Sequence, residues 1–225
     1  TCGTRGCARS ARLRKPGCML AAPRLLANDE RGKHDERKKG DDMSKKIVVL
    51  NGSPRKRGNA SALVEAFAEG AREAGCEVEV FFLEGMDIRA CKGCFGGDRT
   101  RENPCVQKDD MRAIYDAYRT ADALVFASPL YWWTVSAQLK VAVDRLFATA
   151  EGEGGLVVPP RECALLMAAE GDGFEESVYW YERLMGHVGW TDKGQVLCPN
   201  VADIGDIEGN PALEKARELG KSFGA

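Results

Sequence analysis

Histidine is almost missing from this chain: two residues in 225, His34 and His187. His34 lies in a polar stretch, and His187, with Gly186 and Gly189 beside it, stands where a helix is expected to close. It reads as a cap-region residue rather than a base. No Ser/His/Asp set and no paired carboxylates stand out, so side-chain acid–base catalysis has no visible carrier. No apolar run approaches the ~20 residues that a membrane span needs. Nothing in residues 1–42 has the 7–15-residue apolar core of a secretory signal, because "CMLAAP" and "LLA" are short and are split by Pro23 and Arg24. The formal net charge is only −2, which argues against a general nucleic-acid binder.

What charge there is has an uneven distribution. Residues 1–42 carry 11 Lys/Arg against 6 Asp/Glu, and residues 43–225 carry 21 against 28. The first segment shows no sustained helical or strand period, and its last third is nearly all polar. It is expected to be a disordered or upstream-translated extension, with one domain over 43–225. Cys2, Cys7 and Cys18 fall in it. The other six cysteines, Cys76, Cys91, Cys94, Cys105, Cys163 and Cys198, are expected as reduced thiols of a cytoplasmic protein rather than as a disulfide framework.

From Lys45 onward, strand and helix signals alternate. Short apolar strands are expected over 47–50, 76–83, 122–128, 162–169 and 194–198, with helices over 60–74, 109–120, 135–149, 174–188 and 211–223. In the first helix Leu63, Val64, Phe67 and Ala71 recur at helical spacing, and Gly75 stands at a C-terminal cap position. Strands of this length separated by helices of about 12–15 residues specify a doubly wound α/β domain with a parallel sheet covered on both faces. Five strands suit the order 2-1-3-4-5, whose ligand sits beyond the carboxyl ends of strands 1 and 3.

Two loops meet at that position. The first, in "KKIVVLNGSPRKRGNAS", leaves strand 1 and enters helix 1, so its amides and the helix dipole face an incoming anion. No Gly-Lys-Ser/Thr closes it as a P-loop would, and it is not GxGxxG. Ser53, Asn59 and Ser61 offer hydroxyl and amide groups and Arg55 offers charge, a set that suits a terminal phosphate monoester. The alternative is an ordinary βα turn in which Asn59 caps the helix. The second loop, in "SPLYWWTVSAQLKVAVDRLF", puts Pro129 ahead of Tyr131, Trp132 and Trp133, which are expected in a connecting loop as surfaces for a planar ring. Packing beneath a loop, or at a subunit contact, is the other use of such rings.

"LNGSPRKRGNAS" followed by "SPLYWWTVSAQLKVAVDR" resembles the NAD(P)H-dependent FMN reductase branch of the flavodoxin-like superfamily, over roughly residues 45–224. The likeness extends to the C-terminal "DIEGNPALEKARELGKSF". It implies that Ser53, Arg55, Asn59, Ala60 and Ser61 hold the phosphate and ribityl end of FMN. Ala60 separates Asn59 from Ser61, so the hydroxyl residue stands one place later than in many members. Pro129, Leu130, Tyr131 and Trp132 would line the isoalloxazine, and the Ala169-Glu170-Gly171-Asp172 loop, through Gly171, would touch its far edge. The activity implied is oxidation of NAD(P)H with reduction of a quinone, a nitro or azo compound, or free flavin. The cofactor carries the hydride, so no catalytic side chain is assigned.

"CKGCFGGDRTRENPCVQKDDM" is similar to the cysteine-rich insertion of iron–sulfur flavoproteins, with Gly97 where a third closely spaced cysteine would stand. Cys91, Cys94 and Cys105 are three thiols, one short of a four-thiolate cluster, so no metal is expected, and structural thiols or a redox-active CxxC are the uses left to them. An electron carrier of the iron–sulfur type and a non-catalytic flavin-binding module are the alternatives. Asp144-Arg145 is read as a structural ion pair. The resemblance and the aromatic surface together imply a homodimer with the flavin near the interface.

Overall fold

The alternation of apolar segments resolves into a parallel sheet with helices on both faces. The computed structural model describes residues 44–94, 104–152, 155–156 and 161–224, all within the unit running from Asp42 to Ala225. The elements, in chain order, are β1 Lys46–Asn51, α1 Asn59–Glu73, β2 Glu77–Phe82, α2 Met111–Thr120, β3 Ala123–Tyr131, β4 Thr134–Val135, α3 Ala137–Ala150, β5 Glu151–Gly152, β6 Gly155–Leu156, β7 Glu162–Ala168, α4 Glu175–Val188, β8 Thr191–Cys198 and α5 Pro211–Lys221. The main strands lie in the order β2-β1-β3-β7-β8, all parallel. Counting only these five, the order is 2-1-3-4-5, the flavodoxin-like arrangement expected from the sequence. β4 adds an antiparallel edge to β3, and β5–β6 form a small separate hairpin.

The central strands β1, β3 and β7 are buried on both faces, which is why they read as continuous apolar runs, whereas the edge strands β2 and β8 are partly exposed. Successive side chains go to opposite sides. Ile47, Val49, Val125 and Leu166 pack with α1 and α5, whereas Val48, Leu50, Phe126 and Leu165 pack with α2, α3 and α4. On the first face α1 and α5 touch backbone to backbone. A Cβ on Gly70 would lie 2.0 Å from the Arg217 carbonyl oxygen, and one on Gly220 would lie 2.1 Å from that of Phe67. Only glycine allows that approach. The expected strand at 194–198 starts three residues earlier, at Thr191, and includes Gly194 at φ 145° beside a register shift against β7. Among the described residues, no helix is long and apolar enough to cross a membrane.

This topology brings the loops after β1, β3, β7 and β8 to one end of the sheet, at the seam between β1 and β3 where the winding reverses.

Candidate functional site

The loop after β1 is closed from within. Asn51, Ser53, Asn59 and Ser61 are all buried. Asn51 Oδ1 accepts from the Ser53 amide at 3.0 Å, and its Nδ2 donates to Ser61 Oγ at 3.1 Å. The Ser53 and Ser61 hydroxyls donate to one carbonyl, that of Arg55, at 2.9 and 3.0 Å, and the Gly58 amide donates to the same oxygen at 2.9 Å. Two longer ties reach the loop after β8. The Arg55 guanidinium donates to the Ala202 carbonyl at 3.1 Å, and Asn59 Nδ2 donates to that of Asp203 at 2.9 Å.

Helix α1 begins at Asn59, so Asn59 is its first residue and not its cap. Gly58 is the N-cap and contributes no side-chain hydrogen bond. Its carbonyl accepts from the Ala62 amide at 3.0 Å. The amides of Asn59, Ala60 and Ser61 therefore have no intrahelical acceptor. Helix α5 is finished differently: the Asn210 side chain accepts from the Ala212 amide at 2.9 Å. At α1 the donors stay open, at the positive end of a 15-residue helix with Arg55 alongside. Asn59 Oδ1 adds a buried acceptor with no protein partner. An unmet buried acceptor costs free energy, and a ligand hydroxyl would satisfy it. Amide donors for an anion beside an acceptor for a hydroxyl fit a phosphate on a polyol chain, which is the tail of FMN.

The seam behind the loop is tight. The Gly52 amide donates to the Ala127 carbonyl on β3 at 2.8 Å, and Ser136 Oγ donates to the Gly52 carbonyl at 2.7 Å. A Cβ on Gly52 would come within 2.7 Å of both Leu139 Cβ and Ser136 Oγ. Glycine is required here for packing.

Tyr131, Trp132 and Trp133 were expected in an irregular connection; instead they form a hairpin. β3 runs on through Pro129, Leu130 and Tyr131, and Leu130 and Tyr131 pair with Val135 and Thr134 of β4. Trp132 and Trp133 are the two-residue turn, at φ 49° and 60°. Such turns favour Asn-Gly, because both central residues adopt positive φ. For a residue with a Cβ the left-handed conformation costs about 1–2 kcal/mol, and backbone of this kind persists only where its surroundings impose it. Here the Ser136 amide donates to Ser128 Oγ at 2.8 Å across the base of the hairpin. Ser177 Oγ on α4 donates to the Trp133 carbonyl at 3.3 Å. The Trp133 ring lies against Gly173, where a Cβ would be 3.3 Å from it. Among the described residues Trp132 has only Trp133 as a ring neighbour, with centroids 5.9 Å apart, and is 87% exposed.

Two further loops border this end. Gly171 sits in the connection after β7 with nothing within 4 Å of the position its Cβ would take, which leaves room for a close neighbour. The insertion after β2 is held at its base by charge. Arg145 on α3, fully buried, donates to both Asp109 carboxylate oxygens at 2.6 and 3.0 Å and to the Arg89 carbonyl at 2.7 Å. Burial pushes the Asp109 carboxyl up, but hydrogen bonds from Arg145 and from the Arg89 and Met111 backbone, with the charge of Arg145, outweigh it and hold the group below its ordinary value. Asp144 pairs instead with exposed Lys140. Cys91 and Cys94 are exposed and Cys105 is half-buried. Phe95, Gly97 and the rest of 95–103 lie outside the described residues, as does everything before residue 44.

The profile of the NADPH-dependent FMN reductase family matches residues 45–167, from the start of β1 nearly to the end of β7. The chain belongs to this family. An iron–sulfur flavoprotein of Archaeoglobus fulgidus is 39% identical, covering 79% of this chain and 78% of its own. An iron–sulfur flavoprotein of Methanosarcina thermophila is 38% identical, over 75% of this chain and 85% of its own. Among solved structures, an NAD(P)H:quinone oxidoreductase of Methanothermobacter marburgensis superposes with a TM-score of 0.63 at 21% identity, over 81% of this chain and 98% of the other. An FMN-dependent NADH-azoreductase of Bacillus anthracis, in complex with FMN, gives 0.62 at 18% identity, over 80% and 100%. Membership makes the protein an oxidoreductase whose cofactor is FMN and whose co-substrate is NAD(P)H.

Sequence reasoning missed several supports of this end. Asn51 carried a signal, as an amide residue closing an apolar strand two places before Ser53. Ser136 carried a local one, as a serine at the start of α3 whose Oγ accepts from the Leu139 amide at 3.3 Å; Ser177 carried none, since it acts through one long-range hydrogen bond. Arg145 was read as pairing with its neighbour, yet its partner is 36 residues away.

Proposed function

We propose that the protein oxidises NAD(P)H and passes the reducing equivalents to a quinone, a nitro or azo compound, or free flavin, at the end of the sheet described above. The observation that carries the reading is the open start of α1, where three unclaimed amides and the buried, unpartnered acceptor of Asn59 belong to one helical turn. In this reading Ser53, Arg55, Asn59, Ala60 and Ser61 hold the phosphate and ribityl end. Asn59, Ala60 and Ser61 act through their amides and Arg55 through its charge. The Ser53 and Ser61 hydroxyls set the loop's shape through the Arg55 carbonyl. Pro129, Leu130, Tyr131 and Trp132 border the ring, with Gly171 at its far edge. Bound FMN supplies the two-electron chemistry. The chain's part is to seat the anion, exclude water from the seam and leave the aromatic end accessible to a second flat molecule.

A homodimer belongs to the same proposal. Trp133, Tyr179 and Val106, besides Trp132, are large apolar groups left exposed, and such surfaces mark contacts. So does a domain boundary near residue 42, with residues 1–42 contributing nothing to the site.

A second reading has support of its own: the relatives above are named as iron–sulfur flavoproteins. Against a cluster in this chain stands ligand supply, since Gly97 occupies the place of the third cysteine and three thiols are one short. The purified protein should show the near-ultraviolet and blue absorption bands of flavin, oxidise NADH or NADPH with menadione, and contain well under one iron per chain. A flavin-free protein with no NAD(P)H oxidation would overturn the reading; near-stoichiometric iron would establish the second.

A further inference from the structure

The C-terminal segment that opens with "DIEGNP" reaches the anion seat through its first residue, Asp206. One oxygen of its carboxylate, Oδ2, accepts from two successive amides, those of Ala202 at 2.9 Å and Asp203 at 2.8 Å. The Asp206 amide donates to the Asp203 carbonyl at 3.3 Å, closing a turn over 203–206. The third residue of that turn, Gly205, has a φ of 98°, which glycine supplies without strain. Ile207, next along, is buried in the cluster that α1 and α5 share, so the turn stands on a fixed base.

The carboxylate aims a pair of carbonyls. The Asp203 N–H and the Ala202 C=O belong to one trans peptide group and point opposite ways. With the N–H on Asp206, the carbonyl faces Arg55, whose guanidinium donates to it at 3.1 Å. The following carbonyl, that of Asp203, accepts from Asn59 Nδ2 at 2.9 Å. A carbonyl can only accept, so this bond fixes which end of the Asn59 amide is which. Nδ2 is committed to the loop, and Oδ1 is left as the buried acceptor without a protein partner. Arg55 and Asn59 are thus both set by carbonyls that Asp206 holds. Charge argues the same way. The two amide donors keep the Asp206 carboxyl below its ordinary value, so it is ionised at neutral pH. A carboxylate one peptide group from Arg55 opposes a phosphate there, so its contribution comes through the backbone and not from its charge.

We propose that Asp206 is a positioning residue for the cofactor, acting through the Ala202 and Asp203 carbonyls to place the Arg55 guanidinium and the Asn59 acceptor before FMN arrives. This rests on the flavin reading above and extends the seat to the loop after β8, 144 and 147 residues along the chain from Asn59 and Arg55. What matters is where one oxygen stands.

The test uses the full-length protein, stripped of flavin and titrated with FMN by fluorescence. Asp206→Ala should raise the Kd for FMN about three- to tenfold, the range for one neutral hydrogen bond lost. Asp206→Asn keeps the accepting oxygen without the charge and should restore most of the affinity. Asp206→Glu keeps the charge but moves the oxygen by a methylene, and should resemble Asp206→Ala. In a background of Arg55→Ala with Asn59→Ala, adding Asp206→Ala should change Kd by less than about twofold, because the groups it positions are gone. Equal losses in the two backgrounds would overturn the proposal. So would affinity that follows charge, with the Glu variant like wild type and the Asn variant like Ala. An unchanged Kd for Asp206→Ala with a lower Tm would make the carboxylate a stabiliser of its own loop, and also overturn it. If Asp206→Ala does not fold, the comparison of Asn with Glu decides alone. Wild-type protein that takes up no FMN would instead refute the underlying site reading, as would Arg55→Ala with Asn59→Ala binding FMN as tightly as wild type.

Discussion

The two loops that meet at the β1–β3 seam solve opposite problems. The Gly52–Gly58 loop is made of residues suited to where they are: glycine where two chains touch, serine and asparagine where hydrogen bonds must close inside the protein, and every side chain from Asn51 to Ser53 buried or without a Cβ. The Tyr131–Thr134 hairpin is made of residues unsuited to their turn, exposed, and held by a few contacts from elsewhere. An anion seat has to exist before its ligand arrives, because amides can be aimed only by a rigid backbone. A stacking surface need only be present and accessible. The contrast teaches that rigidity here is concentrated at the polar end of the site and exposure at the aromatic end.

The insertion after β2 tests whether a loop at this end can be anchored by charge instead. Arg145→Ala would strip buried Asp109 of its two-pronged partner, leaving only the Arg89 guanidinium at 3.6 Å and backbone amides, and should cost up to about 3–5 kcal/mol in denaturant unfolding. Its pH dependence has a definite sign. The folded carboxyl of Asp109 titrates below its ordinary value of about 3.9, so its contribution is present above that value and lost as pH falls through the lower folded one. Asp109→Asn should therefore be less stable than the wild type at pH 7, with the gap closing below about pH 4. A gap independent of pH would show that packing, rather than charge, holds the insertion.

At the polar end, Ser53→Ala with Asn59→Ala should weaken FMN binding by about 0.5–1.5 kcal/mol for each neutral hydrogen bond lost, directly at Asn59 and through the loop's shape at Ser53. Fluorescence titration of apo-protein would measure it. Equal affinity of the double variant and the wild type would remove these residues from the site. Gly52→Ala pushes a methyl into Leu139 and Ser136; it should cost about 1–3 kcal/mol of stability and lower flavin occupancy, both read from one melting and absorbance series. If the loop tolerates that methyl, its rigidity has been overstated and the contrast with the hairpin weakens. The smallest effect is expected from deleting residues 1–42: unchanged flavin content and a Tm within about 1 °C, since a polar, aperiodic sequence ahead of β1 has little to bury.

How much of this was legible depends on how local each feature is. β1, α1 and β7 show plainly in the sequence, because a strand buried on both faces is a continuous apolar run and α1 repeats its apolar residues every three or four places. The loop proposed as the anion seat could be picked out, since strand–loop–helix order puts amides at a helix start whatever else surrounds them. Its wiring could not. Ser53 and Ser61 looked like donors to a ligand, yet both donate to the Arg55 carbonyl, and Asn59 Nδ2 reaches Asp203, 144 residues on. The small edge strand β4 escaped notice because two residues carry no period.

By itself the sequence determined the order of elements, the parallel sheet and which loops gather at the end of the sheet proposed as the site, since each follows from short-range periodicity, strand burial and the handedness of crossovers. Only the tertiary structure decided that Tyr131-Trp132-Trp133-Thr134 is a tight hairpin. Nothing local favours that turn for tryptophan; pairing with β4, Ser177 on α4 and the space beside Gly173 impose it. The same holds for the bond from Arg145 to Asp109. A buried guanidinium takes the carboxylate that the fold delivers to it, and chain neighbours such as Asp144 project elsewhere on the helix.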